Sequence, residues 1–189
     1  MSYTKLPLTT IGFAALLAVG TLAAPRVAHA DSAWGSVGTT GAVDEACYPS
    51  IRLNSFDARL APGNTLLTCI IRYQVIDTYG TPTGRVTGLR LESHLLDNGP
   101  YARVEVRLRS YNFGTGAALT IAGINSDVTP NPINLPSGYR YFYNPTCLNL
   151  DFNRFNYWVE VTLVRLASPL TVPQGTPAIA WLGVRGCLI

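Results

Sequence analysis

Apolar and polar residues alternate with a period of two along most of this chain, and the clearest stretch runs from Arg85 to Ser110. Leu89, Leu91, Ser93 and Leu95 fall on one face of a strand, and Arg90, Glu92, His94 and Leu96 on the other. Asp97-Asn98-Gly99-Pro100 then interrupts the pattern with residues that favour turns. After it, Ala102, Val104, Val106 and Leu108 alternate with Arg103, Glu105, Arg107 and Arg109. One face packs and the other meets water. Joining the two runs through the short turn predicts a hairpin in which Leu96 faces Tyr101, Leu91 faces Val106 and Glu92 faces Glu105. The apolar faces then coincide, and Arg90 lies diagonal to Glu105.

Further strands are predicted over Ile51–Phe56, Thr65–Ile76, Ala117–Ile124, Tyr139–Tyr143, Tyr157–Leu166 and Ala178–Val184. Leu66 to Ile71 is apolar on both faces and predicts a central strand. Pro169, Pro173 and Pro177 make Ser168–Pro177 a loop. Gly and Pro punctuate nearly every gap, and no 3.6-residue period is sustained after the first thirty residues. A run of about eight short strands predicts an all-β, two-sheet antiparallel sandwich, jelly-roll-like. An immunoglobulin-like sandwich is the alternative. An outer-membrane barrel fits less well, because charged strand faces suit a lipid-facing wall poorly.

The amino terminus follows a different pattern. Lys5 precedes an apolar run from Ile11 to Ala24, and Ala28-His29-Ala30 forms a small-x-small site before Asp31. This predicts a cleaved secretory signal peptide over residues 1–30 and a single domain over 31–189. The run falls short of the about 20 residues a bilayer span needs, so no membrane span remains after cleavage. The first cysteine is Cys47, too late for a lipoprotein. No twin-arginine pair is present, which favours general secretion to the periplasm or the exterior.

Removing the leader changes the charge. Lys5 is the only lysine, and the formal charge of +3 falls to +1 once Lys5 and Arg26 leave. The arginines form no basic stripe, so nucleic acid is not an expected partner. All four cysteines, Cys47, Cys69, Cys147 and Cys187, follow the leader. In an exported chain they predict two disulfides with three possible connectivities. Sequential pairing, Cys47 with Cys69 and Cys147 with Cys187, closes the shorter loops and is preferred. A bridge at Cys187 would pin the last strand.

Several short stretches carry a resemblance. They are Trp34-Gly35-Ser36-Val37-Gly38, Leu95 to Gly99 with Ala102-Arg103-Val104, Tyr111 to Gly116, Asn125-Ser126, and Tyr157 to Leu163. Together they resemble a loosely related set of uncharacterised small bacterial secreted β-sandwich proteins. The resemblance implies a β fold and export, and no activity.

Candidate chemistry is sparse. His94 is the only histidine after the leader. Adjacent strand residues point to opposite faces, so Ser93 cannot pair with it. Glu92 shares its face, yet a solvated histidine on a charged strand is the simpler expectation. Asp44, Glu45, Asp127 and Asp151 lie near turns without marking a catalytic pair. Asp151 with Asn153, and Asp97 with Asn98, offer oxygen ligands for calcium, but Asx turns explain them without a metal. No enzyme, cofactor or metal site is expected. The better lead is Tyr139, Tyr141 and Tyr143, which alternate on one face opposite Arg140 and Phe142. Partly exposed, such rings stack on sugars or anchor partners; otherwise they fill the core. The expected function is a non-catalytic secreted binding module for a glycan or cell-surface ligand. Behind it stand a self-associating envelope protein that pairs through β edges and a small secreted hydrolase using His94 and a carboxylate.

Overall fold

The computed structural model describes residues 34–97, 99–130, 132–169 and 175–187. The expected signal peptide, residues 1–30, lies outside the described residues. So does most of the expected loop after Ser168. The strands in chain order are β1 (Trp34–Val37), β2 (Ala42–Val43), β3 (Ile51–Leu53), β4 (Ala58–Leu60), β5 (Leu67–Val75), β6 (Arg85–Leu96) and β7 (Ala102–Asn112). They continue with β8 (Ala118–Asn125), β9 (Ile133–Asn134), β10 (Arg140–Tyr143), β11 (Leu148–Asp151), β12 (Phe155–Arg165) and β13 (Ala178–Gly186).

These strands form two antiparallel sheets. The larger runs β3-β4-β13-β6-β10-β9, with β1 also on β13 and β11 also on β6. The smaller runs β2-β5-β12-β7-β8. The chain changes sheet between β5 and β6, again before β7, and on both sides of β12. This is the jelly-roll-like sandwich expected from the alternation. The core lies between the sheets, where Leu91, Leu95, Phe142 and Leu182 face Ile71, Val106, Val161 and Leu163, all fully buried. Each such side chain contributes about 1.5–3 kcal/mol of burial, and the period of two aims them inward.

Two pairings depart from expectation. β6 and β7 form no hairpin: they belong to opposite sheets, and the turn through Gly99 arches between them. Both hydrogen-bonding edges of β6 are taken, by β13 on one side and by β10 and β11 on the other. β7 is likewise filled by β12 and β8. Glu105 therefore sits opposite Thr162 and Asn125 rather than Glu92. An arch and a hairpin bring the same apolar faces onto one core, so alternation cannot separate them. The second departure is β5, whose outer neighbour is only the two-residue β2. Leu66 is exposed and Ile70 half-buried, so the central strand of this sheet is β12.

Gly88 explains a break in the β6 pattern. Its φ of +68° is readily available only to glycine. It shifts the alternation by one, so that Val86 and Leu89 are both buried. The calcium reading is not needed at Asp151 or Asp97. Asp151 accepts from the Asn153 amide in an Asx turn and pairs with Arg85, and Asp97 pairs with Arg140 at 3.2 Å.

Both preferred disulfides are present, Cys47–Cys69 and Cys147–Cys187. The second joins the residue after β13 to the residue before β11, and the Cys187 amide also donates to the Gly88 carbonyl. It spans 40 residues, and closing a loop of that size in the unfolded chain is worth about 4 kcal/mol. The double variant Cys147→Ser/Cys187→Ser should lose about 2–4 kcal/mol in denaturant unfolding. Hydrogen exchange should also accelerate at Arg185 and Gly186. Unchanged exchange there would mean that the bridge does not hold the end of β13.

Candidate functional site

The outer face of the larger sheet carries the site, and a register shift in β13 builds it. Ile179 pairs with Leu95 and Trp181 with His94, so Ala180 is an extra residue in the ladder. Without the bulge this makes, Ile179 and Trp181 would share a face. With it, Ile179, Leu182 and Val184 all turn into the core, and Trp181, Gly183 and Arg185 turn out.

Cross-strand pairing then aligns the outward side chains. One row runs Val37, Trp181, His94, Tyr141 across β1, β13, β6 and β10. The next runs Gly35, Gly183, Glu92, Tyr143. The two glycines have a steric role. A Cβ on Gly183 would lie 2.4 Å from the Trp181 ring, and one on Gly35 would lie 3.2 Å from its Nε1. The indole therefore rests on bare backbone. The His94 ring sits 5.0 Å from the Trp181 ring and 5.7 Å, edge-on, from that of Tyr141. Tyr141 meets Tyr143 at 6.0 Å. These are ordinary aromatic contact distances.

A cleft of about 710 Å³ opens over this row. Trp181, His94, Tyr141 and Tyr139 supply its aromatic wall, Glu92 and Arg185 its charges, and Val37 and Phe56 its apolar rim. Glu92 is buried, against the expectation of a wet outer face. Tyr141 bonds its carboxylate, and Tyr143 is its cross-strand partner. Its charge is balanced locally: Arg90 Nε donates to Glu92 at 2.6 Å, and a second Arg90 nitrogen donates to the Tyr141 hydroxyl at 3.2 Å. The Arg90 guanidinium also lies 4.7 Å from the Tyr143 ring centre. Burial, with the bond to Glu92, pushes the Tyr141 phenol up.

Of the expected tyrosine row, Tyr141 and Tyr143 are half-buried and Tyr139 is buried. The expectation of exposure fails at Tyr139 because the segment before β4 covers it. Its ring meets Phe56 edge-on at 6.1 Å, and its hydroxyl donates to Asp57. Asp57 is fully buried and also accepts from Arg59 and Asn54. Burial pushes the Asp57 carboxyl up, but these three donors outweigh it and hold its pKa below the ordinary value. The Tyr139 phenol is pushed up to about 12 by burial and by Asp57. This cluster fixes one wall of the cleft.

His94 is a second correction. It is half-buried between two rings rather than solvated. Ser93 beside it is fully buried on the core side, as strand geometry requires. Burial pushes the His94 pKa down against the pull of Glu92. Trp181, Arg185 and the paired glycines were not singled out in the sequence. The signal is an indole with Ala180 before it and Gly183 two residues after it, in a run that reads only as strand. Rings elsewhere pack into the core: Tyr157 is buried, and Phe152 packs on it at 5.1 Å. Trp158 faces outward from the smaller sheet, in a second cleft of about 600 Å³ with Gln74 and Arg109.

No protein-family model and no curated protein matches the chain. Among solved structures it is similar to TmCBM27, a carbohydrate-binding module studied for specific mannan recognition. That likeness has 13% identity over 82% of this chain and 86% of that one, with a TM-score of 0.35. It is also similar to PfGH50B, at 12% identity over 84% of this chain and 23% of that one, with a TM-score of 0.32. At these scores neither likeness bears on function.

Two outcomes follow from the geometry. Gly183→Ala should displace the Trp181 indole, seen as a shift in tryptophan emission, with little loss of secondary structure; an unchanged spectrum would contradict the glycine seat. His94→Gln tests the lowered histidine pKa. Above about pH 6.5 both folded and unfolded chains hold neutral imidazole. Below it the unfolded chain takes up a proton that the folded chain resists, so stability falls with pH until the lowered folded value is passed. The native protein should show this extra loss relative to the variant; parallel stability curves from pH 7 to 5 would contradict it.

Proposed function

We propose that this chain is a non-catalytic, secreted carbohydrate-binding module. The observation that carries the reading is the Trp181 indole seated on two glycines and continued by His94 and Tyr141 across neighbouring strands. Sugar rings present apolar faces edged by hydroxyls. They stack on flat rigid rings that lose little conformational freedom on binding. The cleft volume lies in the range of small-ligand sites, about 300–1,000 Å³, room for a few sugar units. Arg185 at its edge offers donors for hydroxyls. Tyr141 belongs to the platform, Tyr143 extends it, and Tyr139, anchored to Asp57, forms a wall beside it.

The hydrolase reading gains a cleft that contains His94 but lacks its chemistry. Glu92 is committed to Arg90, Ser93 faces the core, and His94 makes ring contacts without a hydrogen bond among the described residues. Export is supported by two disulfides, which persist in oxidising compartments. No helix among the described residues is long and apolar enough to cross a membrane.

The test is a glycan array followed by polysaccharide pull-down with the oxidised protein. The native protein should bind at least one glycan class, and Trp181→Ala should weaken it by tenfold or more, as expected when a central aromatic anchor is removed. Failure of the native protein to bind any glycan, or a Trp181→Ala variant that binds as well as native, would overturn the reading.

A further inference from the structure

The cleft's charges carry information about its ligand that the aromatic row does not. Arg185 on β13 and Arg90 on β6 are direct cross-strand partners, and both side chains point outward from the larger sheet. Like charges placed directly opposite each other destabilise a sheet. The cleft's carboxylate, Glu92, serves one of them: it bonds Arg90, which is further held by the Tyr141 hydroxyl and the Tyr143 ring. Arg185 is different. It is exposed and lines the cleft, its guanidinium lies 6.0 Å from the centre of the Trp181 ring, and it makes no ion pair among the described residues. A planar cation without an ion pair among the described residues therefore stands at the end of a flat aromatic platform, beside a second arginine already neutralised.

Building on the saccharide reading, we propose that the cleft takes an acidic saccharide, one bearing uronate carboxylates. A ring stacks on Trp181 while the carboxylate of the same or the adjoining unit meets Arg185. The guanidinium fork matches a carboxylate with two parallel N–H···O bonds, a geometry that a neutral hydroxyl cannot fill. The anion also relieves the repulsion between Arg185 and Arg90. Glu92 does not oppose it, because its charge is spent on Arg90. The platform supplies affinity for sugars in general, and Arg185 supplies the choice of acidic ones.

The experiment compares polygalacturonate and alginate with a neutral β-glucan by isothermal titration and affinity electrophoresis, using the oxidised native protein, Arg185→Ala, Arg185→Lys and, as a control on the smaller sheet, Arg107→Ala. Thermal melts confirm that each variant is folded. Native protein should prefer an acidic polymer, and the preference should weaken as salt rises. Arg185→Ala should cut acidic binding tenfold or more and weaken β-glucan binding far less. Arg185→Lys should fall between, keeping the charge and losing the fork. Arg107→Ala should match native. Neutral binding as strong as acidic, an equal loss on both polymers in Arg185→Ala, or acidic binding equal in Arg185→Ala and Arg107→Ala, overturns the acidic preference and leaves the saccharide reading standing. No binding to any of the three polymers, together with an empty glycan array, overturns both.

Discussion

The outer face of the larger sheet depends on one extra residue. A strand of regular pleat would send Ile179, Trp181, Gly183 and Arg185 to a single side. With Ala180 left unpaired between the Ile179–Leu95 and Trp181–His94 pairs, the core keeps Ile179, Leu182 and Val184, and the surface receives the indole, its glycine seat and Arg185. Everything proposed for the cleft follows from that change of phase. The packing requirement of the core drives it: three branched apolar side chains gain more by burial than the bulge loses in ladder hydrogen bonds. The platform is thus a consequence of how the core is filled, and the flanking strands bring Tyr141 and Val37 into line with it.

Buried charge stabilises the walls around this platform. Asp57 is satisfied by three donors that tie the segment before β4 to Tyr139. Glu92 is satisfied by Arg90, which also grips Tyr141 and Tyr143. A buried carboxylate stripped of its partners costs several kcal/mol, so each cluster holds its aromatic ring in one place. A rigid platform loses little entropy when a ligand settles on it. The wall of the cleft and the stability of the sheet therefore rest on the same side chains.

Much of the sandwich was legible in the sequence because alternation reports faces. The inward residues of β6 and β7 were identified correctly, and so were the long strands and the disulfide pairing. Alternation does not report neighbours, so it cannot tell the β6–β7 arch from a hairpin. Short strands such as β4 and β11 are three or four residues long, too brief to show a period. The site was legible only in part. Tyr141 could be found because it alternates with Phe142. Trp181 could not, because the bulge breaks the pattern in β13. The burial of Tyr139 is not legible because the segment that covers it is distant in sequence, and that of His94 because its neighbours Trp181 and Tyr141 lie on other strands.

The three tryptophans offer the most direct test of where a saccharide docks. Trp34 is buried at the sheet edge, Trp181 lies on the larger sheet's outer face and Trp158 on the smaller sheet's. Their indole N–H resonances can be followed by NMR while an oligosaccharide is titrated in. Large shifts at Trp181, with Trp158 unmoved, are the predicted result. Shifts centred on Trp158 with Trp181 unmoved would contradict the account.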